Sequence, residues 1–74
     1  METNELPLWQ RRLIEERNDL LEKIERLDKY IDEAVYEPAI SNAEYRLMRI
    51  QYFAMCAYEG ALSQRMSKLG LIGE

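Results

Sequence analysis

The stretch YEPAISNAE, residues 36–44, decides how the chain folds. Pro38 cannot continue a helix that arrives from its N-terminal side, and it biases Glu37 away from helical backbone angles. Ser41 and Glu44 have the spacing of a capping box, in which the serine hydroxyl accepts from the Glu44 N–H and the glutamate carboxylate returns to the serine N–H. The stretch therefore predicts the end of one helix, a short break and the start of a second helix.

Before the break, apolar residues recur with a helical period. A heptad spacing connects four of them, and isoleucines fill alternate steps: Leu13, Leu20, Leu27 and Ala34, with Ile24 and Ile31. This pattern predicts an amphipathic helix over about residues 8–35, with a seam that packs against a partner helix. Pro7 suits the first turn, because its missing N–H costs nothing there.

After the break over residues 36–40, a second helix is predicted over about residues 41–69. Gly70 is placed to end it in a left-handed cap. Its seam consists of Tyr45, Met48, Tyr52, Met55, Glu59, Leu62, Met66 and Leu69. Because the break is short, the helices become antiparallel neighbours, and the prediction is an all-α two-helix hairpin within one domain, residues 1–74.

The turn also predicts which residues face each other across the hairpin. If the turn is centred near Pro38, the numbers of two residues that face each other in the antiparallel pair add up to about 76. Arg17 then faces Glu59, and each interrupts its apolar seam with a charge of opposite sign. We predict an ion pair that fixes the register, since a buried pair is weak evidence of stability. The apolar partners are Ile31 with Tyr45, Ile24 with Tyr52, and Leu13 with Leu62.

The second helix carries more apolar surface than one partner helix can cover, and a helix apolar over most of its circumference is a buried one. A chain of this size gains only roughly 3–5 kcal/mol from its own core. We therefore predict self-association, with second helices packing on those of other subunits. The surplus residues are Leu47, Ile50, Phe53, Ala54, Tyr58 and Ala61, with Ile14, Leu21 and Val35 as a second edge on the first helix.

Composition argues against several classes of protein. Cys56 is the only cysteine and the chain has no histidine, so neither a disulfide within the chain nor a zinc site of Cys/His type is expected. Cys56 has no histidine to activate it, and no glycine-rich phosphate loop is present. We expect no catalytic residue, no metal, no cofactor and no enzymatic activity.

Charge and hydropathy bear on partners and location. The net charge of −4 argues against broad binding of DNA or RNA, which needs a basic footprint. The N-terminus METNELPLWQ has neither the basic nor the apolar region of a secretory signal. No apolar run approaches the ~20 residues of a membrane span. We expect a cytosolic protein without a membrane partner.

The two halves together resemble a known family. Residues 11–31 read RRLIEERNDLLEKIERLDKYI, and residues 40–66 read ISNAEYRLMRIQYFAMCAYEGALSQRM. The second half has the spacing Q-x3-M-x2-Y-x3-L-x2-R-M, formed by Gln51, Met55, Tyr58, Leu62, Arg65 and Met66. This combination resembles the helical-hairpin family of phage anti-CBASS and anti-Thoeris proteins.

The resemblance implies a compact, often hexameric sponge in the cytoplasm of an infected bacterial host. Such a protein would sequester cyclic di- or trinucleotides at subunit interfaces without cleaving them. It implies that Trp9 stacks on a base, that Lys23 or Arg26 meets a phosphate, and that Arg65 is the basic residue of the second helix. Trp9 and Lys23 are about 21 Å apart along a helix, so one ligand that touches both needs a bend near Pro7 or two subunits.

Each of these residues also has a structural interpretation. Trp9 could anchor the open end of the hairpin or a subunit contact, and Lys23 and Arg26 could be solvated. Arg65 could favour the C-terminal end of the helix dipole. Two further functions therefore stay open: an oligomeric helical adaptor or inhibitor that binds another protein, and a structural coiled-coil component.

Overall fold

The computed structural model describes residues 6–72 and forms two helices. α1 spans Leu8–Ala34 and α2 spans Asn42–Lys68. They pack against each other as an antiparallel hairpin, which confirms the predicted all-α fold. The helix ends predicted at residues 35, 41 and 69 are cap residues: Val35 caps the C-terminus of α1, and Ser41 and Leu69 cap the two ends of α2. The acidic leader, residues 1–5, and residues 73–74 lie outside the described residues, so the predicted domain is described only over 6–72.

The break between the helices is held by short-range hydrogen bonds. The N–H of Glu37 donates to the Ala34 carbonyl at 3.0 Å, and the N–H of Ile40 donates to the Glu37 carbonyl at 3.1 Å. Ser41 is extended (φ −71°, ψ 159°), and its hydroxyl accepts from the Glu44 N–H at 3.1 Å. The first hydrogen bond of the predicted capping box is therefore present, and it fixes where α2 begins.

The end of α2 is a Schellman turn. Gly70 has φ of +72°, the left-handed conformation that favours glycine. Its N–H donates to the Ser67 carbonyl at 3.0 Å, and the Leu71 N–H donates to the Met66 carbonyl at 2.9 Å. The turn folds Leu71 and Ile72 back, so that they pack against the core cluster containing Met66.

This turn changes the C-terminal end of the predicted seam. The heptad spacing places Leu69 in the seam, but Leu69 is 38% exposed. The helical spacing no longer predicts which residues face α1 at the point where Gly70, in its left-handed conformation, changes the direction of the chain. Leu71 and Ile72, beyond the helix, supply the apolar cover at this end.

The core between the helices consists of two clusters. The first holds Leu13, Leu20, Leu62 and Met66, and the second holds Ile31, Ala34 and Met48. Leu13 shares a cluster with Leu62, and Tyr45 packs on the cluster of Ile31, in agreement with the register. Ile24 packs on the first cluster and Tyr52 on the second, although the register places them opposite each other.

Much of the apolar surface of one subunit is uncovered. The large side chains of α2 that lie off the seam are between 46% and 59% exposed: Leu47, Ile50, Phe53 and Tyr58. On α1 and the turn, Leu21 and Val35 are exposed, whereas Ile14 is half-buried and packs on the first core cluster. Within residues 6–72, neither helix has a long enough apolar stretch to cross a bilayer.

Candidate functional site

Arg17 and Glu59 meet between the helices, and Ser63 joins them. The Arg17 Nε donates to Glu59 Oε2 at 3.1 Å and to Ser63 Oγ at 2.9 Å. The Ser63 hydroxyl donates to the same Glu59 oxygen at 2.6 Å. The Arg17 and Glu59 side chains are 24% and 21% exposed, so the pair is half-buried beside the first core cluster. Its predicted role in fixing the register stays a prediction.

This network controls the ionisation of Glu59. The hydrogen bond from Ser63 is the largest cause of a lowered pKa for the Glu59 carboxyl. Partial burial opposes it, while the hydrogen bond and the positive charge of Arg17 act in the same direction as Ser63. The carboxylate form of Glu59 is therefore the form that this part of the fold favours.

Ser63 is the member of the network that the sequence interpretation missed. It lies one turn after Glu59 on α2, at the i+4 spacing that brings helical side chains together. That spacing is a usable signal once a glutamate is expected to face an arginine. Without that expectation, a serine in a long helix has no distinguishing feature.

The network divides the hairpin into two sides. Arg17 and Ser63 touch each other, so the flanks of α1 and α2 on which they lie form one side, here called the ion-pair side. At about 100° per residue, Trp9 and Lys23 fall on the other flank of the α1 seam. The opposite flank of α2 carries an exposed row with a spacing of seven: Gln51, Tyr58 and Arg65.

Three of the four predicted ligand residues therefore share one side of the hairpin, here called the tryptophan side. Trp9 is 53% exposed, and Lys23 and Arg65 are also exposed. Trp9 and Arg65 lie towards the open end, where α1 begins and α2 ends. Lys23 lies about 21 Å further along α1, and this separation follows from the helical rise. No break in the helix lies between them, because α1 is continuous from Leu8 to Ala34.

Arg26 has different surroundings. It lines an open surface hollow of about 380 Å³ with Lys29 and three carboxylates, those of Glu25, Asp28 and Asp32. These carboxylates outnumber the two cations, so the local charge does not favour a phosphate. Arg26 therefore has acidic surroundings, although it lies only three residues from Lys23 on α1.

Arg65 lies at an open hollow near the C-terminal end of α2. The hollow has a volume of about 570 Å³ and is lined by Ala61, Gln64, Arg65, Ser67 and Lys68. Two cations and no carboxylate line it, in contrast to the hollow at Arg26. This cationic, mostly open surface could accept an anionic group from a ligand or from another subunit.

The described residues therefore do not bring Trp9, Lys23, Arg26 and Arg65 together within one subunit. They form a tryptophan side on which the two cations, Lys23 and Arg65, lie at different positions along the helix axes. A ligand the size of a cyclic dinucleotide could meet both Trp9 and Lys23 only if the two residues came from two different subunits. Within residues 6–72, no group of three His, Cys, Asp or Glu side chains is placed to hold a metal ion.

Comparison with known proteins gives one match. The family model described as Sequestin matches residues 7–68, which include both helices and the turn between them. No curated protein and no solved structure matches the chain. The match names neither the anti-CBASS nor the anti-Thoeris proteins, so that finer resemblance stays a prediction. Because the matched segment covers most of the 74 residues, the chain belongs to the Sequestin family.

Proposed function

We propose that this protein binds a cyclic oligonucleotide second messenger at contacts between subunits and sequesters it without cleaving it. In this proposal it acts as a phage immune-evasion protein in the cytoplasm of the infected bacterium. Membership of the Sequestin family, a name that suggests sequestration of a ligand or partner, is the observation that carries the proposal.

The surface chemistry of the tryptophan side supports a nucleotide as the ligand. Trp9 offers an exposed aromatic face for stacking on a base. Lys23 and Arg65 are exposed cations on the same side and offer donors for phosphate oxygens. An acidic chain with a local cationic and aromatic surface suits a small anion better than a long nucleic acid, whose binding needs an extended basic footprint.

The geometry of one subunit supports a shared site. The hairpin presents open hollows and exposed helical faces, and Trp9 and Lys23 are too far apart for one small ligand. We propose that self-association brings residues of neighbouring subunits to one ligand, with the hexamer as the expected assembly.

Isothermal titration against cyclic di- and trinucleotides and cyclic ADP-ribose isomers tests the proposal. We expect binding of at least one compound and recovery of that compound intact after heating. Trp9→Ala and Lys23→Ala should each weaken binding by about 10- to 100-fold, because one stacked base or charged contact is worth ~1–3 kcal/mol. The mass of the oligomer should stay unchanged.

Matched controls separate ligand contacts from general effects. Lys29→Ala removes the same charge from the hollow at Arg26, and Tyr36→Ala removes an aromatic side chain that is 86% exposed in the turn. Both should bind like the parent protein. Loss of the oligomer in Trp9→Ala and Lys23→Ala would show that these residues are structural.

The exposed apolar surface of α2 favours a second candidate, an oligomeric adaptor or inhibitor that binds another protein. No heat change with any compound, from a protein of unchanged oligomeric mass, would reject the sponge and favour this candidate.

A further inference from the structure

The cations of the two helices differ in their surroundings. On α1, each cation off the seam has a carboxylate three or four residues away, the spacing that brings side chains of a helix together. These neighbours are Glu15 for Arg11 and Arg12, Asp19 for Lys23, Glu22 for Arg26 and Glu25 for Lys29. The cations of α2 have no such neighbour, because its only carboxylates are those of Glu44 and Glu59. Arg46 and Arg49 therefore form an uncompensated pair of positive charges, away from the hollow near Arg65.

Phe53 completes a patch with these two arginines, here called the arginine–phenylalanine patch. The Cζ of Arg49 lies 5.8 Å from the centroid of the Phe53 ring. The Tyr52 ring meets the Phe53 ring in an edge-to-face arrangement, with 5.7 Å between the centroids and 67° between the planes. Phe53 is nevertheless 58% exposed, and both arginines are exposed. An aromatic ring and two cations are therefore open to a ligand at one place on α2.

The patch lies on the ion-pair side of the hairpin, opposite the tryptophan side. Arg49 is two heptads before Ser63, and two heptads return to nearly the same direction on a helix. Leu47 and Tyr58, which belong to the exposed apolar face of α2, lie about a third of a turn from Phe53. An assembly that covers Leu47 and Tyr58 can therefore leave the patch open.

Two carboxylates of α1 lie near the patch without neutralising it. The pKa of Tyr52 is raised, mainly by Cys56 and also by two negative charges on α1. These charges are Asp28 and Asp32, which line the hollow of α1 that has two cations of its own. Among the described residues, neither forms an ion pair with an arginine of the patch, and Arg49 lies over the phenylalanine ring instead. The donors of both arginines therefore stay available to an anion from outside the chain.

We propose that the arginine–phenylalanine patch binds one nucleotide, with the base on Phe53 and the phosphate on Arg46 and Arg49. Bases of any kind stack on exposed aromatic side chains, and a guanidinium can donate two hydrogen bonds to one phosphate. Arg46 and Phe53 are seven residues apart, which is about 10.5 Å along the helix, and a nucleotide together with an arginine side chain spans that distance. Three residues are far fewer than the roughly 20–30 that a stable protein interface takes from each partner, so the patch favours a small ligand over a protein. One subunit supplies the whole site, in contrast to the tryptophan side.

Fluorine NMR tests the proposal, because the chain has a single reporter position at each of the two sites. Phe53 is the only phenylalanine and Trp9 is the only tryptophan, so fluorophenylalanine and fluorotryptophan each give one signal. We expect adenosine monophosphate to move the fluorophenylalanine signal at concentrations about three- to tenfold lower than adenosine does, because two exposed ion pairs favour the phosphate. A signal that stays fixed throughout the titration with adenosine monophosphate would overturn the proposal, and so would equal affinity for the two compounds.

Substitution of Arg46 tests where the phosphate lies. Arg46→Gln should lower the affinity for adenosine monophosphate by about threefold and leave that for adenosine unchanged. Arg12→Gln is the matched control, because Arg12 is an exposed arginine with Glu15 at helical spacing, and it should change neither affinity. An equal loss in both variants would contradict the proposal. If sedimentation shows that Arg46→Gln alters the mass of the assembly, Arg46 belongs to a subunit contact, which also counts against it.

The outcome is separate from that of the proposed sponge. Trp9→Ala should leave the fluorophenylalanine titration unchanged, whereas it should weaken binding of a cyclic nucleotide at the tryptophan side. If adenosine monophosphate moves only the fluorotryptophan signal, the patch is rejected and the tryptophan side stands. If it moves only the fluorophenylalanine signal, the patch binds a nucleotide and the tryptophan side does not.

Discussion

At the scale of single residues, the contact of Arg17, Glu59 and Ser63 is the feature with the clearest energetic consequence. Arg17→Met removes the positive partner but leaves the Glu59 carboxylate half-buried. We expect a loss of about 1–3 kcal/mol in the free energy of unfolding, because a charged group without its partner keeps its desolvation cost. Urea unfolding followed by circular dichroism measures it.

The double variant Arg17→Met/Glu59→Met is the control for this prediction. Replacing both partners by apolar side chains removes the unpaired charge, so the double variant should be more stable than Arg17→Met alone. If Arg17→Met unfolds at the same urea concentration as the parent protein, the ion pair contributes nothing measurable and its role is confined to register.

The lowered pKa of Glu59 predicts a pH dependence. The Ser63 hydrogen bond and Arg17 favour the carboxylate in the folded state, so the folded pKa lies below the ordinary value of 4.5. The stabilisation is complete above about pH 4.5 and is lost as the pH falls through the lower folded pKa. Glu59→Gln should therefore lose less stability than the parent on acidification through this range. Equal slopes in urea unfolding series would contradict the prediction.

At the scale of the helices, substitution by alanine should change the stability in opposite directions at two glycines, Gly60 inside α2 and Gly70 in its C-terminal cap. Gly70→Ala puts a Cβ on a residue with φ of +72°, which should cost about 1 kcal/mol of stability. Gly60→Ala, inside α2, meets nothing within 4 Å. It should stabilise the protein by about 1 kcal/mol, because alanine is the better helix former.

Thermal unfolding of the two alanine variants at one protein concentration checks this pair of predictions. The midpoint should fall for Gly70→Ala and rise for Gly60→Ala relative to the parent. A fall for both would show that the space beside Gly60 is occupied, for example by another subunit.

The helices also show what could be predicted from the sequence. Pro38, the spacing of Ser41 to Glu44, and Gly70 are local signals, and they act within a few residues of the helix ends that they set. The packing of Leu71 and Ile72 was not predicted, because it depends on the direction of the chain after Gly70. The acidic surroundings of Arg26 depend on the positions of neighbouring side chains, which a motif does not contain.

At the scale of the whole molecule, the amount of buried surface decides whether one hairpin is a stable unit. Among the described residues, the buried apolar side chains number seven: Leu13, Leu20, Ile31, Ala34, Met48, Leu62 and Met66. They form two small clusters rather than one continuous core. Chains of this size gain only roughly 3–5 kcal/mol from such a core. Association should therefore supply much of the stability.

The thermal midpoint should therefore depend on protein concentration. When folding is coupled to association, mass action raises the midpoint as the concentration rises. We expect an increase of several degrees between low and high micromolar protein for the parent, on the order of the ~4–8 °C that 1 kcal/mol produces in a small domain. Lys23→Ala, which leaves the exposed apolar face of α2 intact, should show the same dependence. Ile50→Lys should lower the midpoint and weaken its dependence on concentration, because a charge then replaces a large apolar contact. If the parent protein unfolds at one temperature over this whole range, the hairpin is stable by itself and the exposed face of α2 is free for a different partner.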